Sequence, residues 1–155
     1  MMVKAMLTIH AIREDERDEL RTMAVAYWLE LMPHAPVIQD PQRREGYFQN
    51  RFRFDTPEST LWWAMIDENR AGFARIDLAL DHDGPWAEIQ DFYVAEEWRG
   101  QGTGRAFAKC LVEWLRAHDV VRIDLHVRSD NPRALAFWQA VGFEMASYRL
   151  RTYIE

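Results

Sequence analysis

Cysteine is almost absent from this chain. Among 155 residues only Cys110 carries a thiol, so no intrachain disulfide can form and no cysteine cluster can hold zinc. That usage fits a reducing compartment, and a cytoplasmic location is the expectation. The five histidines, His10, His34, His82, His118 and His126, show no ligand spacing, so no metal is expected. An excess of basic charge is missing too. Nineteen Lys and Arg stand against 25 Asp and Glu, a formal charge of −6. Phosphate backbones need a basic face, so no nucleic-acid partner is expected. The same negative field favours a cationic or neutral second substrate. Long apolar runs are lacking: Met23 to Leu29, the longest, has seven residues, where a membrane span needs about 18. The opening stretch Met1–His10 is interrupted by Lys4, Thr8 and His10 and reads as no signal peptide. No membrane partner is expected. Repeats and low-complexity linkers are also missing, and the length is that of about one domain, read here as 1–155.

Aromatic residues, by contrast, are plentiful: they make up 13% of the chain and include seven Trp. Such a supply points to a stiff core, an aromatic-lined pocket, or both. Periodicity sorts the chain into elements. Thr8 to Ile12 reads as an edge strand. Leu20, Met23, Ala24, Tyr27, Trp28 and Leu31 form one apolar helical face, begun by acidic Glu14, Asp15 and Glu16 and stopped by Pro33. Asp40-Pro41 reads as an N-cap with proline in the first turn of a helix over about 41–53. Strands are predicted over 61–66, 71–80 and 86–94, joined by turns at Glu68-Asn69-Arg70 and Asp81–Gly84. A helix over about 103–118 carries Phe107, Leu111, Trp114 and Leu115, and a strand carries Ile123, Leu125 and Val127. A further helix with Ala134, Phe137 and Val141 ends at Gly142, and Phe143 to Ile154 reads as one or two closing strands. Hairpins first and crossovers after make a mixed α/β fold.

The segment richest in chemistry is Trp98-Arg99-Gly100-Gln101-Gly102-Thr103-Gly104-Arg105. Three alternating glycines lie between a strand and an amphipathic helix. Glycine lets backbone approach a ligand, and the helix N-terminus offers free N–H groups and the positive end of a dipole. Together they suit a pyrophosphate, with Arg99 and Arg105 adding charge-assisted contacts. Glycines alone also fit a turn without a ligand. The P-loop spacing G-x-x-x-x-G-K-[ST] is not met, and G-x-G-x-x-G fails at Arg105 or at Phe107.

Arg99-x-x-Gly102-x-Gly104 resembles the Q/R-x-x-G-x-G/A signature of the GNAT superfamily of acyl-CoA-dependent N-acyltransferases. Phe92 to Trp98 resembles the strand and loop that precede it. Asn131-Pro132-Arg133-Ala134-Leu135-Ala136-Phe137-Trp138, followed by Gly142-Phe143, resembles the family's N-x-x-A-x-x-x-Y/W motif. The agreement runs from about Trp86 to Phe143. It implies a mostly antiparallel central sheet flanked by helices, with splayed central strands holding acyl-CoA. Acetyl-CoA is the implied cofactor. By the same resemblance Arg99, Gly100, Gln101, Gly102, Thr103, Gly104 and Arg105 hold the pyrophosphate, and the backbone of Phe92, Tyr93 and Val94 pairs with the pantetheine arm. Asn131, Ala134, Phe137 and Trp138 lie near that arm. The strand edges left free by the splay are then satisfied by the cofactor.

Acyl transfer to an amine needs a proton acceptor, donors for the oxyanion and a way to discharge the thiolate. The implied general base is Glu88, six residues before Val94. Asp91 is the second candidate, on the opposite pleat face by alternation, and a water relay is the third route. The tyrosine that protonates the thiolate in many GNAT enzymes maps to Trp138, whose indole donates a hydrogen bond but does not titrate. Either the thiolate leaves without an acid, or Tyr93, Tyr148 or Tyr153 supplies one. A backbone N–H near Tyr93 or Val94 is the implied oxyanion donor. His126, on the strand after the signature helix, is a further candidate near the acyl group. Tyr27, Trp28, Tyr47, Phe48, Phe52, Trp62 and Trp63 are candidates for an acceptor pocket suited to a cationic amine, or for core. Cys110 reads as a buried small hydrophobe.

The expected activity is acetylation of a primary amine on a small molecule or peptide, by direct attack in a ternary complex. Two alternatives stay open: a non-catalytic acyl-CoA-binding domain, and a protein Lys or N-terminal acetyltransferase. Tyr148 to Ile154 offers a pairing edge for a homodimer.

Overall fold

The computed structural model describes residues 6–155; the first five residues of the Met1–His10 stretch lie outside them. The chain runs β1 (Leu7–Ala11), α1 (Arg17–Leu31), α2 (Pro36–Gln39), α3 (Pro41–Arg51), β2 (Ser59–Ile66), β3 (Asn69–Asp81), β4 (Gly84–Val94), α4 (Thr103–Ala117), β5 (Arg122–Leu125) and α5 (Pro132–Val141). The strands form one sheet in the order β1-β2-β3-β4-β5. The first three pairings are antiparallel and β4–β5 is parallel, which is what a helical crossover between consecutive strands requires.

Helices cover both faces. On one, Phe107, Leu111 and Leu115 of α4 and Trp138 of α5 pack on Ala74, Ile76, Ala87 and Ile89. The i, i+4, i+8 spacing on α4 puts these three side chains on one stripe, all fully buried. Leu111→Ala would cost about 2–5 kcal/mol through lost transfer energy and a residual cavity. On the other face Leu20, Ala24 and Trp28 of α1 and Phe48 of α3 pack on Trp63, Phe73 and Tyr93. The Asp40 carboxylate accepts from the N–H groups of Gln42 and Arg43, and Pro41 fills the first helical position, so α3 starts as its sequence predicts.

Several expectations need correction. Four residues beginning at Pro36 make the extra helix α2, too short to show a period. The first hairpin turns at Asp67-Glu68, with Asp67 at φ 53°, so Asn69 and Arg70 belong to β3. Val127 lies beyond β5. No strand forms over 143–154: this tail is irregular, with Tyr148, Leu150, Tyr153 and Ile154 all strongly exposed. A strand needs a partner edge, and β5, four residues long, ends the sheet without the tail beside it. The splayed pair is therefore at the sheet's margin.

The most consequential correction is a β-bulge. Arg75 pairs with Asp91 and Ile76 with Ile89, which leaves Gln90 as an extra residue in β4. One inserted residue reverses the alternation of everything beyond it. Ala87 and Ile89 face α4, and so does Phe92, while Asp91 and Tyr93 face α1 and α3. Glu88 and Asp91 therefore share a face instead of standing on opposite ones.

Candidate active site

The parallel pairing of β4 and β5 ends at Ile89–Leu125. Beyond it the strands separate, and a cleft of about 240 Å³ opens between Gln90–Phe92 on one strand and His126–Arg128 past the other. It reaches both helical layers. Tyr27 and Trp28 of α1 and Tyr47 of α3 wall one side, and Ala134 and Trp138 of α5 the other. Two molecules entering from opposite faces of the sheet can meet in it.

At its cofactor side the geometry fits an acyl-CoA. The separation leaves the β5-facing edge of β4 unpaired beyond Ile89, an edge that an extended amide chain can satisfy. Gly102, the N-cap of α4, takes φ 82° and has no side chain to cap the helix, so the first N–H groups of α4 are left for an external acceptor. A Cβ at Gly102 would meet open space, whereas one at Gly104 would meet Phe137 at 3.3 Å. Gly102 thus serves the turn, and Gly104 serves the close approach of α4 to α5.

The flanking side chains hold the loop. Arg99 donates to the Val94 carbonyl at 2.8 Å and to Glu30 at 2.6 Å, and its guanidinium stands over the Tyr93 ring. This ties the glycine loop to the end of α1. Arg105 donates to the Ala140 carbonyl at the end of α5, and Gln101 to the Glu97 carbonyl. Gly100 sits at φ 76° in the loop, and Thr103 is buried at its end. The Asn131 side chain accepts from the Ala134 N–H and caps α5. Phe137 and Trp138 pack with Phe92, and Trp138 is almost wholly buried.

The acid–base candidates fare differently. Asp91 is 3% exposed and gripped by two guanidiniums: Arg75 Nε at 2.9 Å and Arg51 Nε at 3.2 Å. Its lone pairs are committed, and the carboxylate read as the second base is a buried ion-pair hub. Tyr93 packs against Tyr27 and Phe73, away from the cleft. Burial first, and the charge of Glu30 next, raise its hydroxyl above the ordinary value. Tyr148 and Tyr153 are on the exposed tail. None of these three hydroxyls lines the cleft; the cleft tyrosines are Tyr27 and Tyr47. Of the other acceptor-pocket candidates, Trp28 lines the cleft, Phe48, Phe52 and Trp63 are core, and Trp62 packs on Trp114 across the sheet. Cys110 donates to the Leu7 carbonyl, and burial pushes its thiol up.

Glu88 Oε1 lies 2.8 Å from Nδ1 of His126. This contact joins residues 38 apart in the chain, so no local pattern announces it. Glu88 also stands in register between Asp77 of β3 and Asp124 of β5, a row of carboxylates across three strands. The Asp81, His82 and Asp83 group at the second hairpin has its polar atoms within 4.8 Å of one another, but Asp81 already pairs with Arg122 and His82 with Asp83. Among the described residues no helix is long and apolar enough to cross a membrane.

Comparison with known proteins agrees with this geometry. The sequence profile of the Acetyltransferase (GNAT) family matches residues 11–143. The ribosomal protein bS18-alanine N-acetyltransferase of Escherichia coli is 31% identical over 123 residues, covering 79% of this chain and 80% of that protein. An uncharacterized N-acetyltransferase of Bacillus subtilis, YobR, is 26% identical over 114 residues; the match takes in 72% of this chain but only 44% of that relative's length. Among solved structures, an aminoglycoside N-acetyltransferase in complex with CoA superposes with a TM-score of 0.72 at 16% identity, covering 100% of this chain and 98% of that one. Its fold is shared. Profile, relatives and the open β4–β5 gap agree: the chain is an acyltransferase that belongs to the GNAT acetyltransferase family.

Proposed function

We propose that this protein transfers the acetyl group of acetyl-CoA to a primary amine of a small molecule or peptide, by direct attack in a ternary complex. The observation that carries the reading is the gap past Ile89 and Leu125, with the uncapped α4 N-terminus on the cofactor side and the Glu88–His126 pair beside it. Acetyl-CoA supplies the activated acyl group. The unpaired edge of β4 orients its amide arm, and a backbone N–H at Tyr93 or Val94 faces the developing oxyanion. Proton removal belongs to the Glu88–His126 pair, because Asp91 is held by Arg51 and Arg75. Trp138 offers no titrating proton, so the thiolate takes its proton from the nitrogen of the tetrahedral adduct. The net charge of −6 supports a cationic acceptor. The lone cysteine supports a cytoplasmic site of action.

One relative favours a second reading. The E. coli protein that matches over 80% of its length acts on a ribosomal-protein alanine, which would make a protein N-terminus the acceptor here.

A thermal melt tests the donor, and CoA release tests the acceptor. Acetyl-CoA at about 100 times its Kd stabilises by about 2.7 kcal/mol, a shift of roughly 5–11 °C for a domain this size. ATP and NAD should give none. An amine panel of diamines, aminoglycosides and alanine-starting peptides then separates the two acceptor readings. No shift at millimolar acetyl-CoA overturns the activity, and a shift without CoA release leaves a binding domain.

A further inference from the structure

Resting on that reading, we infer that His126, rather than Glu88, is the catalytic base, with Glu88 as its positioning residue. A 2.8 Å contact between a carboxylate and an imidazole nitrogen needs a proton between them, and an ionised carboxylate has none to give. Nδ1 of His126 therefore carries the hydrogen, and in the neutral form of the ring the lone pair is left at Nε2. Among the described residues Nε2 has no hydrogen-bond partner. The His126 side chain is 67% exposed and lines the cleft; Glu88 is 21% exposed and lies behind it. The carboxylate is thus placed to hold the ring in one tautomer and to stabilise the imidazolium, and the ring is placed to meet the amine.

The other charged groups along the cleft are already committed. Arg51 is bound to Asp91, and Arg128 pairs with Asp130 at 3.0 Å. Tyr27 stays protonated, since burial and the charge of Asp91 hold its hydroxyl well above its ordinary value. His126 sits where the strands part, immediately after the last β4–β5 pairing, so its ring borders the space in which donor and acceptor meet.

The protons balance as follows. The ammonium of the acceptor gives one proton to Nε2. Its freed lone pair forms the C–N bond to the thioester carbon, and the C–S bond breaks. The second nitrogen proton leaves with the sulfur as the thiol. The imidazolium then returns its proton to solvent, and the amide keeps one hydrogen.

The test is chemical rescue. His126→Ala should lower kcat/KM about 10²-fold, within the range of a positioned general base, with the acetyl-CoA melt shift retained because the ring is exposed. Added imidazole should restore turnover in His126→Ala and in no other variant. Glu88→Gln should lose less activity and gain nothing from imidazole. If His126→Ala keeps wild-type turnover, or if imidazole fails while formate restores Glu88→Ala, Glu88 is the base and the inference is overturned. A wild-type protein that releases no CoA with any amine overturns the function itself, and is seen before any variant is made.

Discussion

Asp91 is held by Arg51 and Arg75 because a carboxylate at 3% exposure cannot stay charged without partners. Arg75 reaches Asp77 as well, at 3.2 Å, so the hub ties α3, β3 and β4 beneath the cleft. Asp91→Asn leaves two part-buried guanidiniums underpaired. We expect a loss of about 3 kcal/mol, read as a fall in melting temperature of about 6–12 °C. Activity per folded molecule should survive better than stability. A variant as stable as wild type but inactive would restore Asp91 to the chemistry. Glu16 gives the acid limb of stability. Burial opposes its charge, but the Arg13 N–H and the Arg70 guanidinium outweigh that and hold its carboxyl below the ordinary 4.5. A depressed folded value means that the stabilisation is present above about 4.5 and is lost as pH falls through the folded value. Glu16→Gln should flatten the melting temperature profile below that pH, measured by acid titration of the melt.

At the scale of elements, the α4 N-terminus and the bulge in β4 do most to shape the site. Gly102 at φ 82° makes the turn that turns the first N–H groups of α4 outward. A Cβ there meets nothing, so Gly102→Ala pays only for a left-handed backbone, about 1–2 kcal/mol. The acetyl-CoA melt shift should shrink as the cradle relaxes; an unchanged shift would mean that the cradle is not the phosphate site. Gly104→Val is different, because its side chain would strike Phe137. It should separate α4 from α5 and lower stability and binding together. The longer helices and central strands were legible from period and caps: Asp40-Pro41, the stripe of α4 and Gly142 at φ 117° each stand where the sequence put them. The bulge was not. Gln90 carries no glycine or proline to mark it, and its presence depends on the register with β3.

At the scale of the whole molecule, the sheet's margin leaves an edge uncovered. β5 ends the sheet, and the tail beyond Phe143 keeps Met145, Tyr148, Leu150, Tyr153 and Ile154 exposed. An exposed apolar tail and a free edge in the same chain make a homodimer the assembly to test. Light scattering at working concentration should give twice the 18.4 kDa chain mass, and removal of residues 146–155 should return the monomer. Monomer from the intact chain rejects that assembly.

The sequence by itself determined the family, the order of elements up to α5 apart from the one-turn α2, the glycine turn before α4 and the residue types available for chemistry. These are written in local spacing, where a period of two or 3.6 and a cap within a few positions are enough. Tertiary structure alone decided which of those residues stand together and which are already paired. A single extra residue, set by pairing with β3, brought Glu88 and Asp91 to one face. Contacts 16 and 40 residues long then committed Asp91 to Arg75 and Arg51, and one of 38 gave Glu88 its histidine. Pairing, burial and access at the cleft follow from those long-range contacts, which no local period encodes.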